Sequence, residues 1–87
     1  MDDQAILEEL LALLGQNNVL LRSEPMGGAG GGLCKLKDKR IFYIDTEAQS
    51  ADTAVICAQA VHKIVDIENV YLRPQIRDFL EKNRQTD

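Results

Sequence analysis

Gly27-Gly28-Ala29-Gly30-Gly31-Gly32, five glycines in six residues, is the stretch whose reading decides how the rest of the chain folds. Glycine loses more backbone entropy on folding than any other residue. Such a run is therefore costly unless the chain needs positive φ angles or must lie against something that leaves no room for a Cβ. It stands between two segments with strand character. Before it, Val19-Leu20-Leu21-Arg22 ends by Glu24-Pro25, where proline removes a ladder donor; after it, Gly32 to Lys37 forms a second strand. Taken as a wide turn between sequential strands, the run predicts an antiparallel meander.

Working outward, the alternation of the second strand puts Cys34 and Leu36 on one face, taken as the inner one, and Leu33, Lys35 and Lys37 on the other. Asp38-Lys39 reads as a two-residue hairpin turn into Arg40-Ile41-Phe42-Tyr43-Ile44. That third strand is β-branched and aromatic without alternating, which predicts a central strand covered in part on both faces. Upstream, Ile6, Leu7, Leu10, Leu13 and Leu14 recur at helical spacing from Asp3 to Leu14, with Asp2 or Asp3 to cap the start and Gly15 to close the end. Leu11 falls off the stripe and reads as edge packing or, less simply, as a partner surface.

Downstream, Ser50 is the favoured cap of a helix from Ala51 to about Glu68, with Ala54, Cys57, Ala58, Val61, Ile64 and Val65 as its core stripe. A second strip of Ile56, Ala60 and Ile67 predicts cover by another element or subunit. Val70-Tyr71-Leu72-Arg73 is extended ahead of Pro74, which opens a short helix ending near Lys82 with Ile76, Phe79 and Leu80 inward. The Arg84-Gln85-Thr86-Asp87 tail is expected to fray. The order is α-β-β-β-α-α: an α+β fold, a three-stranded antiparallel meander with helices against one face, spanning residues 1–87 as one compact domain.

Composition narrows the function. At 87 residues with 45% hydrophobic content, the chain buries only about 60 to 65% of its unfolded surface, so the core is thin. A net charge of -4 provides no domain-wide positive field, which weighs against nucleic acid and anionic membranes as partners. No apolar run approaches the roughly 18 residues of a membrane span, and Met1-Asp2-Asp3 is the reverse of a basic signal-peptide start. A cytoplasmic location is expected. Cys34 and Cys57 are too few for a disulfide framework, and nothing in their spacing supports zinc or any other cofactor.

The glycine run fails as a phosphate motif. A P-loop needs GxxxxGK[ST], whereas Leu33 and Cys34 follow Gly32; no register fits GxGxxG, and both motifs open a helix while this loop enters a strand. Lys35, Lys37, Lys39 and Arg40 crowd the hairpin and can hold an anion, although lysines also line solvated strands to prevent edge pairing. His62, the single histidine, needs other ligands to hold a metal. Placed near Cys34, it would make a thiol-imidazole pair with Asp45 orienting the ring, against the plainer reading of Cys34 as a small buried hydrophobe.

The stretch from Glu24 to Leu36, Glu-Pro-Met-Gly-Gly-Ala-Gly-Gly-Gly-Leu-Cys-Lys-Leu, followed by a hydrophobic strand ending in Asp45, resembles a set of short uncharacterised bacterial proteins. They share a glycine run entering L-C-[KR], a hydrophobic strand, an aspartate and an alanine-rich helix. The resemblance covers about the middle half of the chain and implies a compact single domain without a mechanism. A weaker resemblance is to minimal zincin metallopeptidases. With His62 aligned to the second histidine of HExxH, Ala58 stands at the first histidine and Gln59 at the glutamate, so the resemblance extends to architecture and not to chemistry.

Two functions follow as expectations. One is a non-enzymatic small cytosolic domain that binds a protein partner or itself as a homo-oligomer, motivated by the two-sided helix and Leu11. The other is a small-anion or thiol-dependent site built from Gly28, Gly30, Gly31 and Gly32 with Lys35, Lys37, Cys34 and His62.

Overall fold

The structure, a computed structural model, describes residues 1–84; the end of the tail expected to fray lies outside them. The elements are α1 (Asp3–Gln16), β1 (Val19–Glu24), β2 (Gly32–Leu36), β3 (Lys39–Asp45), α2 (Ser50–Ile64), a 3-10 turn at Ile67–Asn69 and α3 (Pro74–Lys82). The α+β class and the order α-β-β-β-α-α hold, but the meander does not. The sheet order is β1-β3-β2, with β1 parallel to β3 and β2 antiparallel to it. β1 and β2 never touch as neighbours, so the segment 25–31 is a crossover passing over the end of β3. The cause lies in β3. Its two apolar faces suit the position with a neighbour on each side, and Ile41 and Phe42 are both buried there.

That crossover accounts for the glycines where the chain is tightest. At Gly31 an added Cβ would lie 1.8 Å from the Tyr43 carbonyl oxygen, inside the backbone of β3. At Gly30 φ is +91°, and a Cβ would sit 2.9 Å from Ile56 Cδ1 on α2. The loop thus runs between the central strand and the helix, with a side chain excluded at Gly31 by the β3 backbone and at Gly30 by the positive φ.

α1 and α2 cover one face of the sheet, with Val19, Phe42, Leu33 and Ile44 on that side, and α3 packs against the two helices. In α1 the Asp2 carboxylate accepts from Ala5 N at 2.8 Å, and Leu7, Leu10 and Leu14 are buried. Leu11 is half-buried against this core, as edge packing requires. The helix runs through Gly15 to Gln16, and the left-handed step falls at Asn18 (φ 67°); Asn17 Nδ2 donates to the Leu13 carbonyl at 2.8 Å and holds the end. Asparagine tolerates that conformation, so Gly15 need not supply it.

The start of α2 is capped by Gln49 without a side-chain bond. Ser50 is instead its first residue, and its Oγ donates to Gln4 Oε1 at 2.5 Å, joining the starts of α2 and α1. The helix stops at Ile64, short of the expected Glu68: Val65 is extended, and Asn69 Nδ2 donates to Asp66 Oδ2 at 2.6 Å, a local bond that competes with helical continuation. Its second strip is covered by the chain itself, since Ala60 and Ile67 are buried and Ile56 packs against the core. The hairpin turn is Lys37-Asp38, one residue earlier than expected, because Leu36 pairs with Lys39. Pro74 opens α3, which buries Ile76 and Leu80 and half-buries Phe79.

Gly31→Ala is expected to destabilise the fold by about 3 kcal/mol or more, because the backbone of β3 must move to admit the methyl group. Gly15→Ala, within the last turn of α1 and with open space around its Cβ position, should instead stabilise by about 0.5–1 kcal/mol. Urea denaturation of the two variants measures both.

Candidate functional site

The organising group is Asp45, the last residue of β3 and only 2% exposed. Its Oδ1 accepts from Met26 N and Glu47 N, each at 2.9 Å, and Oδ2 accepts from Gly30 N at 3.0 Å. Beside it, the Glu47 carboxylate accepts from Gly27 N at 2.8 Å. The loop therefore wraps its amides around an anion, as phosphate-binding loops do, but the chain supplies the anion. Burial alone would push the Asp45 carboxyl up. The amides of Glu47, Met26, Gly30 and Gly28 outweigh that and hold its pKa below the ordinary 3.8.

The candidate residues do not meet at one place. Gly28, Gly30, Gly31 and Gly32 lie at the Asp45 end of the sheet. Lys37 is in the hairpin turn at the opposite end, five strand residues from Gly32, or about 16 Å. Lys35 joins Arg40, Asn17, Asn18 and Asp38 around a shallow hollow of about 270 Å³ at that far end. The lysines are thus not beside the glycine loop.

Cys34 is also displaced from its expected face. Leu33, opposite Phe42, points to the helices, so Cys34, opposite Ile41, points to the uncovered side and is exposed. Alternation couples Cys34 to Leu36 correctly, and Leu36 is exposed as well, so the pair lies on the outer face and not the inner one. His62 lies on α2, across the sheet, where its Nε2–H donates to the Leu80 carbonyl at 2.7 Å. The sheet separates thiol from imidazole, and Asp45 orients the glycine loop and not the ring. Among the described residues, no three His, Cys, Asp or Glu side chains cluster so as to hold a metal ion.

Two surfaces went unnoticed in the sequence. A hollow of about 280 Å³ opens between the starts of α1 and α2 and the ends of β1 and β3, lined by Gln4, Leu11, Ser23, Ile44, Ser50 and Thr53. No motif marks it, because its residues come from five separate elements and turns. The other is the helix-free face of the sheet. Leu20 is 50% and Leu36 62% exposed at its two edges, with Cys34, Ile41 and Tyr43 between them. The signal for it was the pair Ile41 and Tyr43, apolar on the side of β3 opposite Phe42. No helix among the described residues is long and apolar enough to cross a membrane.

Compared with protein-family models, curated proteins and solved structures, the chain matches none of them.

Because the folded-state pKa of Asp45 lies below its unfolded value, the stability it contributes is fully present above that value and is lost as the pH falls through the folded-state pKa. Asp45→Asn should therefore be less stable than the parent at pH 7. The gap should close progressively once the pH drops below about 4, as denaturation curves across pH would record. The two thiols should also separate. Burial pushes Cys57 up to about 12, so under native conditions an alkylating agent should modify the exposed Cys34 and reach Cys57 only on unfolding, which intact mass spectrometry reads directly.

Proposed function

We propose that this chain is a non-enzymatic docking domain that binds a protein partner or a second copy of itself. The observation that carries the reading is the helix-free sheet face, where the exposed Leu20, Cys34 and Leu36 surround the half-buried Tyr43 and the buried Ile41 across all three strands. Soluble monomers keep contiguous exposed apolar patches small, and larger ones rimmed by polar groups mark interaction sites. Arg22 and Glu24 supply a charged border on the same face, and tyrosine and arginine are the residue types that anchor interfaces.

The support no longer comes from α2 and Leu11, whose apolar surfaces pack within the chain. An anion site at the loop has less behind it, because the amides of Met26, Gly27 and Gly30 already donate to Asp45 and Glu47. A thiol-dependent site also has less behind it, because Cys34 lies on the uncovered face and His62 on the helix side. An exposed free thiol fits a reducing compartment, so the cytosol belongs to the same proposal.

A photo-crosslinking amino acid at Leu36 tests the reading, with the same group at Asp78 on α3 as control. Irradiation in cells should yield an adduct of defined mass from position 36, either with another protein or with a second copy, and none from 78. No adduct at 36, or equal adducts at both positions, defeats it.

A further inference from the structure

The two free edges of the sheet are not alike. The β2 edge carries Lys35 within the strand and Lys37 beyond it, the charges that discourage strand addition. The β1 edge, Val19–Glu24, holds neither lysine nor proline, and Pro25 comes only after its end. Its backbone orientation follows from one bond. The Glu24 carbonyl accepts from Thr46 N at 3.1 Å, so Glu24 faces β3, as do Arg22 and Leu20 by alternation. Val19, Leu21 and Ser23 therefore turn their N–H and C=O groups outward, and Leu21 (40% exposed) and Ser23 stand open to solvent.

The side chains supply a charge pattern. Arg22 and Glu24 share the uncovered face and pair with each other at 3.1 Å. Read along the strand the order is positive then negative; read backward it is negative then positive. An antiparallel copy of the same strand is therefore its electrostatic complement. A twofold axis at Ser23 sets each Arg22 opposite Glu24 of the second copy, Leu20 opposite Met26, and Leu21 opposite Pro25. In that register the exposed apolar residues of this edge, including Met26 at 41%, cover one another. The two Ser23 residues exchange a pair of backbone hydrogen bonds, each Leu21 N–H reaches the Pro25 carbonyl across the axis, and Pro25, with no N–H, ends the ladder.

Resting on the docking reading above, we propose that the occupant of the β1 edge is a second copy of this chain, paired antiparallel about Ser23 to make one six-stranded sheet. The self-complementary charge order favours a second copy over an unrelated strand, which would need its own matching pair. The product joins the two helix-free faces into one surface, crossed at the axis by the Arg22 and Glu24 pairs.

Sedimentation of the full chain should show a concentration-dependent dimer. Arg22→Glu alone and Glu24→Arg alone each place like charges across the axis and should weaken the dimer about tenfold or more. Their equimolar mixture should restore it, since both cross-axis pairs are then opposite in sign. With Cys34→Ser to remove the exposed thiol, Ser23→Cys should form a disulfide-linked dimer, because Cα atoms of a hydrogen-bonded antiparallel pair lie about 5.5 Å apart. Leu21→Cys should not. A chain that stays monomeric at all concentrations, a mixture that fails to recover, or crosslinking through Leu21→Cys in place of Ser23→Cys overturns the proposal. If the chain is monomeric while the crosslinker at Leu36 still captures another protein, the docking reading stands and only the self-pairing falls.

Discussion

The Asp45 carboxylate holds together what the backbone topology would otherwise pull apart. A sheet ordered β1-β3-β2 obliges the chain to carry itself from one edge to the other past the end of the central strand. Over that end the backbone has no ladder partners, and its N–H groups would be left to water or to nothing. Asp45 takes two amides from the loop and one from the turn that follows β3, so one side chain closes the end of the sheet. Charge-assisted acceptance of several amides is among the stronger hydrogen-bonding arrangements available, and here it offsets the burial that would otherwise disfavour the charged form.

The glycines and the aspartate are two halves of one device. Without glycine at 30 and 31 the loop cannot approach β3 and α2 closely enough for its amides to reach the carboxylate. Without the carboxylate, a glycine-rich segment would have little to fix its conformation against the entropy it loses. This also explains why nucleotide motifs fail to fit. The loop uses the same chemistry, amides converging on an anion, but its spacing is set by the width of a three-stranded sheet.

Much of the fold was legible where the governing physics is local. The Leu7, Leu10 and Leu14 stripe, the proline at the start of α3 and the two-sided apolar character of β3 all report on residues within a few positions of one another. Strand partnership does not work that way. Whether β1 joins β2 or β3 depends on residues some twenty positions apart, and the Asp45 carboxylate and the contact of Gly31 with Tyr43 fix the route the loop takes. Cys34 shows a second limit: alternation says which side chains share a face, not which face is inside, and a one-residue change of phase inverts the whole set. The hollow between the helix starts and the sheet was out of reach for the first of these reasons, being assembled from positions 4 to 53.

The parallel pairing of β1 with β3 has a consequence for how the chain comes into being. β1 precedes its sheet neighbour β3 by about twenty residues, and β2 lies between them in sequence. As the polypeptide is synthesised, β1 emerges with no strand to bind and only α1 beside it, and the sheet cannot close until Asp45 has been added. Local helix and hairpin contacts form first, and the sheet is completed by a non-local step that carries a loop-closure cost. The residue that fastens the loop is also the residue whose arrival allows the sheet to finish, which ties the timing of folding to the same carboxylate.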